Sequence, residues 1–282
     1  LHRADHRRPA RETRPAMIVI PCRHLHMDGT LVDRKGMSDV YQNRAANIAL
    51  KLPPVTFDKT LKTEPIAVVG YGPSLLQTWE RLKDFGVIIS TSKAHEFLLD
   101  KGLKMQYHLD LDPRKHKMEF MQRPQPDVQY MLSSHIYPEY PKMLMEKGIT
   151  PRMFHVGIEK HVKLDPCYPT MQARFDVGVQ AAEWAFLNGY RDQHFFGIEY
   201  GCAADGSTHA GLHWGVPHGP EQRLLVDVDG RKFEGTRLFF HGLLLAEQFL
   251  CWRAALKCTI HGDGLLGHFA KARNRAKFKH LI

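Results

Sequence analysis

Four short polar clusters carry the residue types that could do chemistry, and each follows an apolar run. The first is Gly70-Tyr71-Gly72-Pro73-Ser74, after Ile66 to Val69. Its two glycines allow positive φ and a close approach of backbone to ligand. Pro73 suits a first helical turn, and Ser74 beside it could cap or donate. A strand, a glycine turn and a helix N-terminus together bring unpaired N–H groups to one place, which suits a phosphate. The second cluster is Ser90-Thr91-Ser92. In the third, Asp110-Leu111-Asp112, alternate residues of an extended segment put both carboxylates on one side. Carboxylates that close repel, and Mg²⁺ held by them and by substrate phosphate would relieve the repulsion. The fourth runs from Glu199-Tyr200-Gly201 through Asp205-Gly206-Ser207-Thr208 to His209, a candidate general base or phosphate-binding group because imidazole titrates near neutrality. His213, His218 and His241 follow in sequence, so a metal in this loop is also weighed. Each cluster has a plainer alternative: a tight turn without ligand, a capping carboxylate, a solvated histidine.

The elements that must position these clusters alternate strand and helix. Ile66 to Val69, Val87 to Ser90, Gln106 to Leu111, Val128 to Ser133, Met153 to Val156 and His194 to Ile198 read as strands. Between them, Ala94 to Leu99, Pro138 to Lys147 and the strongly apolar Val177 to Leu187 read as helices. Leu75, Leu76, Trp79 and Leu82 also recur at helical spacing. Such alternation predicts an α/β fold, a Rossmann-like, mostly parallel sheet flanked by helices. Ligands of such sheets sit beyond the carboxyl ends of the strands, where all four clusters fall. Asp229-Gly230 between Leu224 to Val228 and Arg231 to Phe233 predicts a β-hairpin, and a helix follows over Arg237 to Leu256.

Composition narrows the function classes. The 282 residues carry a net charge of +9, but residues 1–36 hold eight Lys or Arg against four Asp or Glu, and 271–282 hold five and none. The stretch between has 26 of each sign and is neutral. Nucleic-acid binding, which needs clustered charge on the folded surface, is therefore not expected. No apolar run nears the ~20 residues of a membrane span. Five cysteines without a C-x-x-C pair predict reduced thiols and a cytoplasmic protein. Residues 1–36 read as a disordered basic leader outside the functional fold, with a strand at Ile18 to Ile20 at most. Residues 37–64 read as a helical lead-in, 65–265 as the nucleotide-binding transferase domain and 266–282 as a basic tail.

The G-Y-G-P-S-L segment resembles the G-x-G-P-S-L signature of the 6-hydroxymethylpterin diphosphokinase MptE-like family, shared with motility accessory factor (Maf) proteins and, more distantly, bacterial sialyltransferases. Asp176 to Tyr200 resembles the family's second hallmark, a small-residue helix, a glycine and a strand ending in G-I-D, and V-D-V-D-G-R-K-F resembles the hairpin that follows in Maf relatives. The likeness spans about residues 62–265. Glu199 stands where the family often has Asp, and Ser92 where the sialyltransferase branch would have Asn, which argues against CMP-sugar specificity. Asp110-Leu111-Asp112 resembles the D-L-D of the diphosphokinase branch, though Pro113-Arg114 follows. The resemblance implies a nucleotide-dependent transferase with a nucleotide or nucleotide-sugar co-substrate and an unidentified acceptor. Gly70, Tyr71, Gly72, Pro73, Ser74, Ser92 and Glu199 would bind the nucleotide, Asp110 and Asp112 would hold Mg²⁺, and His209 and Asp112 would be catalytic. Sugar transfer to a hydroxyl is favoured over pyrophosphoryl transfer from ATP to 6-hydroxymethyl-dihydropterin, with a non-catalytic nucleotide-binding or assembly protein as a third reading.

Overall fold

The computed structural model describes residues 18–21, 34–157, 164–171, 176–203, 207–210, 224–252 and 255–270. Its centre is an eight-stranded parallel sheet in the order β11-β8-β2-β3-β4-β5-β6-β7. In chain order these are β2 (Ile66–Val69), β3 (Val87–Thr91), β4 (Tyr107–Asp110), β5 (Gln129–Ser133), β6 (Arg152–Val156), β7 (Thr170–Met171), β8 (Asp192–Phe196) and β11 (Lys257–His261). Every residue of β2 is buried, as a strand covered on both faces requires. Its side chains alternate between two cores: Ile66 and Val68 pack with α5 (Val177–Leu187) and α6 (Arg237–Trp252). Ala67 and Val69 pack with Leu75 of α2 (Leu75–Thr78), Phe97 and Leu98 of α3 (Ala94–Asp100), and Tyr140 and Leu144 of α4 (Glu139–Glu146). The α/β architecture read from the sequence is thus the one observed.

Strand order decides where a ligand can sit. From β2 the chain builds outward through β3 to β7, then returns to lay β8 against the other side of β2, with Val69 opposite both Ser90 and Phe196. Chains leaving β2 and β8 diverge there, and the gap at this switch point is where open α/β sheets bind ligands.

Several local expectations change. Of the helix read over Leu75 to Leu82, only Leu75–Thr78 is α-helical, and Trp79–Asp84 continues as a 3₁₀ helix. Strands β7 and β11 are additional. The hairpin of β9 (Leu224–Val228) and β10 (Arg231–Gly235) gains a third, parallel strand from β1 (Ile18–Pro21), so part of the supposed leader pairs in a sheet. α1 (Arg34–Ala49) starts slightly before the expected lead-in. Asn47, fully buried on α1, donates to Ser134 O at 3.0 Å and Ile136 O at 2.7 Å and ties that helix to the sheet edge. Beyond the domain boundary set at 265, Leu266 and Phe269 of a helical stretch at 265–270 are fully buried. Residues 1–17 and 271–282, where the leader's disorder and the basic tail were expected, lie outside the described residues. Among those described, Cys167 and Cys258 are free thiols, and no helix is long and apolar enough to cross a membrane.

The cores bury an unusual set of histidines. Burial pulls His95 down to about 4 and His135 to about 3, and holds His108 well below its ordinary value. Burial, reinforced by neighbouring cations, brings His209 and His261 to about 4. These groups are neutral when folded and must charge in acid, so the unfolded chain binds more protons between about pH 4 and 6.5 and stability rises with pH across that window. Asp110 and Asp176, both raised to about 6 chiefly by burial, act in the opposite sense over roughly the same range. His116 and His155, also lowered by burial, act with these five histidines, and Glu199, also raised by burial, acts with the two carboxylates; seven histidines outweigh three carboxylates. The melting temperature is expected to climb from pH 4.5 to 6.5, and a flat or falling profile would contradict this balance.

Candidate functional site

A cleft of about 280 Å³ opens at the switch point, lined by the residues that follow β2, β3 and β8. Gly70, Tyr71, Gly72 and Pro73 form its floor, Ser92 comes from the end of β3, and Glu199 and His209 from the loop after β8. The structure therefore brings together most of the residues singled out by sequence. It does not bring in Ser74, Asp110 or Asp112, which lie outside the lining.

The glycine turn works differently from an anion cradle. Gly70 N–H donates to Phe196 O and Gly72 N–H to Gly197 O, both at 2.8 Å, and Ser74 N–H donates to Glu199 Oε1 at 2.6 Å. Amides expected to hold phosphate are thus used in joining the β2 turn to the end of β8. Neither glycine takes a positive φ. What the turn needs is the missing side chain: a Cβ would lie 2.5 Å from Gly197 O at position 70 and 2.7 Å from it at 72. Gly197 itself does have φ +60°, with Gly70 O 2.6 Å from where its own Cβ would be. Glu199 is the carboxylate at this helix start, and burial pushes it up against the opposing bond from Ser74.

The pair after β4 is not arranged for a cation. Asp110 is buried and accepts from Leu111 N–H at 2.7 Å and Asp112 N–H at 3.3 Å. Asp112 accepts from Arg114 Nε at 2.8 Å and sits 3.2 Å from Lys117 Nζ. Although burial opposes it, these partners hold Asp112 at about 2, whereas burial takes Asp110 to about 6. A divalent ion would have to compete with two cations for Asp112 and with the Leu111 and Asp112 amides for Asp110 Oδ1. The residues present therefore do not fit Mg²⁺, and among the described residues no three His, Cys, Asp or Glu converge on a metal position. His213 and His218 lie outside the described residues, as do Asp205 and Gly206.

Sequence reasoning missed the cleft's cations. Lys93 follows β3, and Lys117 lies on the 3₁₀ segment Lys115–Phe120 after β4; both line the cleft. Lys93 Nζ stands 5.7 Å from the Tyr71 ring centre and 5.5 Å from that of Phe120, and Lys117 Nζ is 4.8 Å from the latter. Ammonium groups over aromatic faces gain cation–π attraction while keeping charge for an anion. His209 tilts over Tyr71 at 6.2 Å, and its Nδ1 lies 2.9 Å from Thr208 Oγ1. Burial and then the charges of Lys117 and Lys93 bring it to about 4, so the premise of a histidine titrating near neutrality does not hold here.

Asp176 lines the cleft on the side of β8. It caps α5, accepting from Val179 N–H at 2.8 Å, and its Oδ1 also accepts from Tyr200 O–H at 2.9 Å. Ser92 and Tyr200 both hold the left-handed conformation, φ +48° and +58°, which non-glycine residues seldom adopt. Charge is therefore divided across the cleft. Lys93 and Lys117 lie toward β3 and β4; Asp176 and Glu199 lie toward β8, with the Gly70–Pro73 turn between. An early signal existed only for Asp176, the first residue of the second hallmark and an N-cap type before an apolar helix.

The model of the family described as 6-hydroxymethylpterin diphosphokinase MptE-like matches residues 39–205. A solved structure, the MAf glycosyltransferase from Magnetospirillum magneticum AMB-1, superposes with a TM-score of 0.57 at 13% identity, over 86% of this chain and 42% of that one. At that identity the likeness is one of fold. The present chain spans less than half the length of that enzyme. No curated protein matches the sequence.

Proposed function

This chain belongs to the 6-hydroxymethylpterin diphosphokinase MptE-like family, and on that premise we propose that it is a nucleotide-dependent transferase, moving a sugar from a nucleotide-activated donor to a hydroxyl acceptor. The observation that carries this reading is the divided charge of the cleft. When a glycosyl bond to phosphate breaks, negative charge collects on the leaving phosphate and positive charge on the sugar ring. Lysines on one side and carboxylates on the other meet both. Lys93 and Lys117 receive the phosphate, the Tyr71 and Phe120 rings flank the base or sugar, and Asp112 holds Lys117 in position rather than binding a metal.

The name of the family model favours a second reading, pyrophosphoryl transfer from ATP to a hydroxymethylpterin. Phosphoryl transfer of that kind depends on metal ions that bridge and neutralise phosphate oxygens. The engagement of Asp110 and Asp112 weighs against it.

A thermal-shift series separates the readings. UDP-glucose, UDP-N-acetylglucosamine, GDP-mannose, CMP-N-acetylneuraminate and ATP would each be tested with Mg²⁺ and with EDTA. A nucleotide sugar at 100 times its Kd is expected to raise the melting temperature by roughly 5 °C, equally in EDTA. A shift confined to ATP with Mg²⁺ would favour the diphosphokinase reading, and no shift with any nucleotide would leave an assembly role.

A further inference from the structure

We infer that Glu96 is a positioning residue of the donor site: by clamping the chain at Gln122 and Arg123 it holds Lys117 and Phe120 against Lys93. This deepens the transfer reading above and rests on it. The two lysines reach the cleft in different ways. Lys93 is the N-cap of α3, two residues after β3 ends, so strand and helix fix it directly. Lys117 sits on Lys115–Phe120, a 3₁₀ helix of six residues, longer than that weakly bonded form usually runs. Its place needs support from another element.

Glu96, in the first turn of α3, supplies it. Its Oε1 accepts from Gln122 N–H at 2.8 Å and from Arg123 N–H at 2.9 Å, and its Oε2 accepts from Arg123 Nε at 2.7 Å. The Arg123 guanidinium also donates to Glu96 O at 3.3 Å and to Asp100 Oδ1, one turn further along α3. A carboxylate at this position commonly serves the amides of its own helix. Here its hydrogen bonds come from residues 26 and 27 positions on. His95 Nδ1, at 3.7 Å from Oε1, is too far to compete. Burial opposes ionisation of Glu96, but the bonds from Arg123 and Gln122 overcome it and hold the carboxyl below its ordinary value.

Phe120 transmits the clamp to the cleft. Its buried ring lies two residues before Gln122, and its centre is 5.5 Å from Lys93 Nζ and 4.8 Å from Lys117 Nζ. Where that ring stands sets the separation of the two ammonium groups. A pair of cations already at the spacing a phosphate needs binds it without reorganising, whereas a displaced Lys117 keeps its charge and loses that advantage. Helix α3 therefore governs both lysines, one directly and one through Glu96.

Two double-mutant cycles test this, read as the Kd of whichever of the four nucleotide sugars binds, on protein shown to be folded by denaturant unfolding. Glu96→Ala is expected to weaken donor binding about tenfold, as is Lys117→Met. Together they are expected to cost about tenfold, not 100-fold, because a lysine already displaced has little left to lose. Paired with Lys93→Met, which acts without the clamp, Glu96→Ala is expected to multiply to about 100-fold. A general loosening of the fold would multiply with both lysine changes alike. Glu96→Gln keeps an oxygen for the two amides and is expected to restore most of the affinity. Should Glu96→Ala not fold, Glu96→Asp takes its place in both cycles, since it retains the charge but is one methylene too short to reach residues 122 and 123. Unchanged affinity in the folded variant, or an effect that multiplies with Lys117→Met as it does with Lys93→Met, would overturn the assignment while leaving the transfer reading standing. If the wild-type protein binds none of the four donors, the transfer reading fails and the assignment falls with it.

Discussion

Replacing Lys93 and Lys117 together with methionine is expected to weaken donor binding by roughly 100-fold, with little change in stability. Each ammonium bonded to phosphate contributes on the order of 1.5–3 kcal/mol, so losing two removes about 3 kcal/mol or more, and 1.4 kcal/mol is a factor of ten. Methionine preserves most of the apolar stem that lies against Tyr71 and Phe120. The single Lys117 change has a diagnostic side effect, because it also takes from Asp112 the cation at 3.2 Å. Calorimetric titration with the nucleotide sugar found in the thermal-shift series would measure the loss. Unchanged affinity in the folded double variant would mean that phosphate binds elsewhere. Because part of the interaction is between charges, the wild-type affinity is also expected to fall with salt while that of the double variant changes less.

The second large effect concerns folding. Gly72→Val is expected to destabilise the protein by about 3 kcal/mol or more, enough to deplete folded protein, because overpacking against atoms that cannot move is among the costliest substitutions. A Cβ at 72 would lie 2.7 Å from Gly197 O and 3.0 Å from Glu199 Oε2. Gly197 directly follows β8, which is hydrogen-bonded on both sides, to β2 and β11, so its carbonyl has nowhere to go. Read from sequence alone, the same change would spare the fold and block phosphate. Denaturant unfolding distinguishes the two. Gly86→Ala is the control, since a Cβ there meets nothing within 4 Å. A Gly72→Val protein as stable as that control but unable to bind donor would restore the phosphate-turn interpretation.

Much of this protein is legible in its sequence because the signals are local. Helix α5 begins and ends where its apolar run does, at Val177 and Leu187, since Asp176 is a capping type and the residues after Leu187 include Gly189, which takes φ +85°. Likewise the Asp229-Gly230 turn makes its hairpin because both residues adopt positive φ. From β2 to β8, strands and polar turns alternate at helix-length spacing, which is enough to place Gly70, Ser92 and Glu199 at strand ends.

What they do there depends on which strands become neighbours, and periodicity carries no information about that. β8 lies beside β2 although about 125 residues separate them, and that pairing turns the amides of Gly70, Gly72 and Ser74 toward Phe196, Gly197 and Glu199 instead of a ligand. Burial, equally non-local, takes His209 away from neutrality and raises Asp176 toward it. Lys93 and Lys117 are ordinary surface types in the chain, and only the adjacency of β3 and β4 brings both over the ring of Phe120. Sequence alone placed the polar clusters at the ends of strands; tertiary structure decided which of them share a cleft and what charge it carries, because the strength of a charge depends on distance and solvent exposure, and neither is written in neighbouring residues.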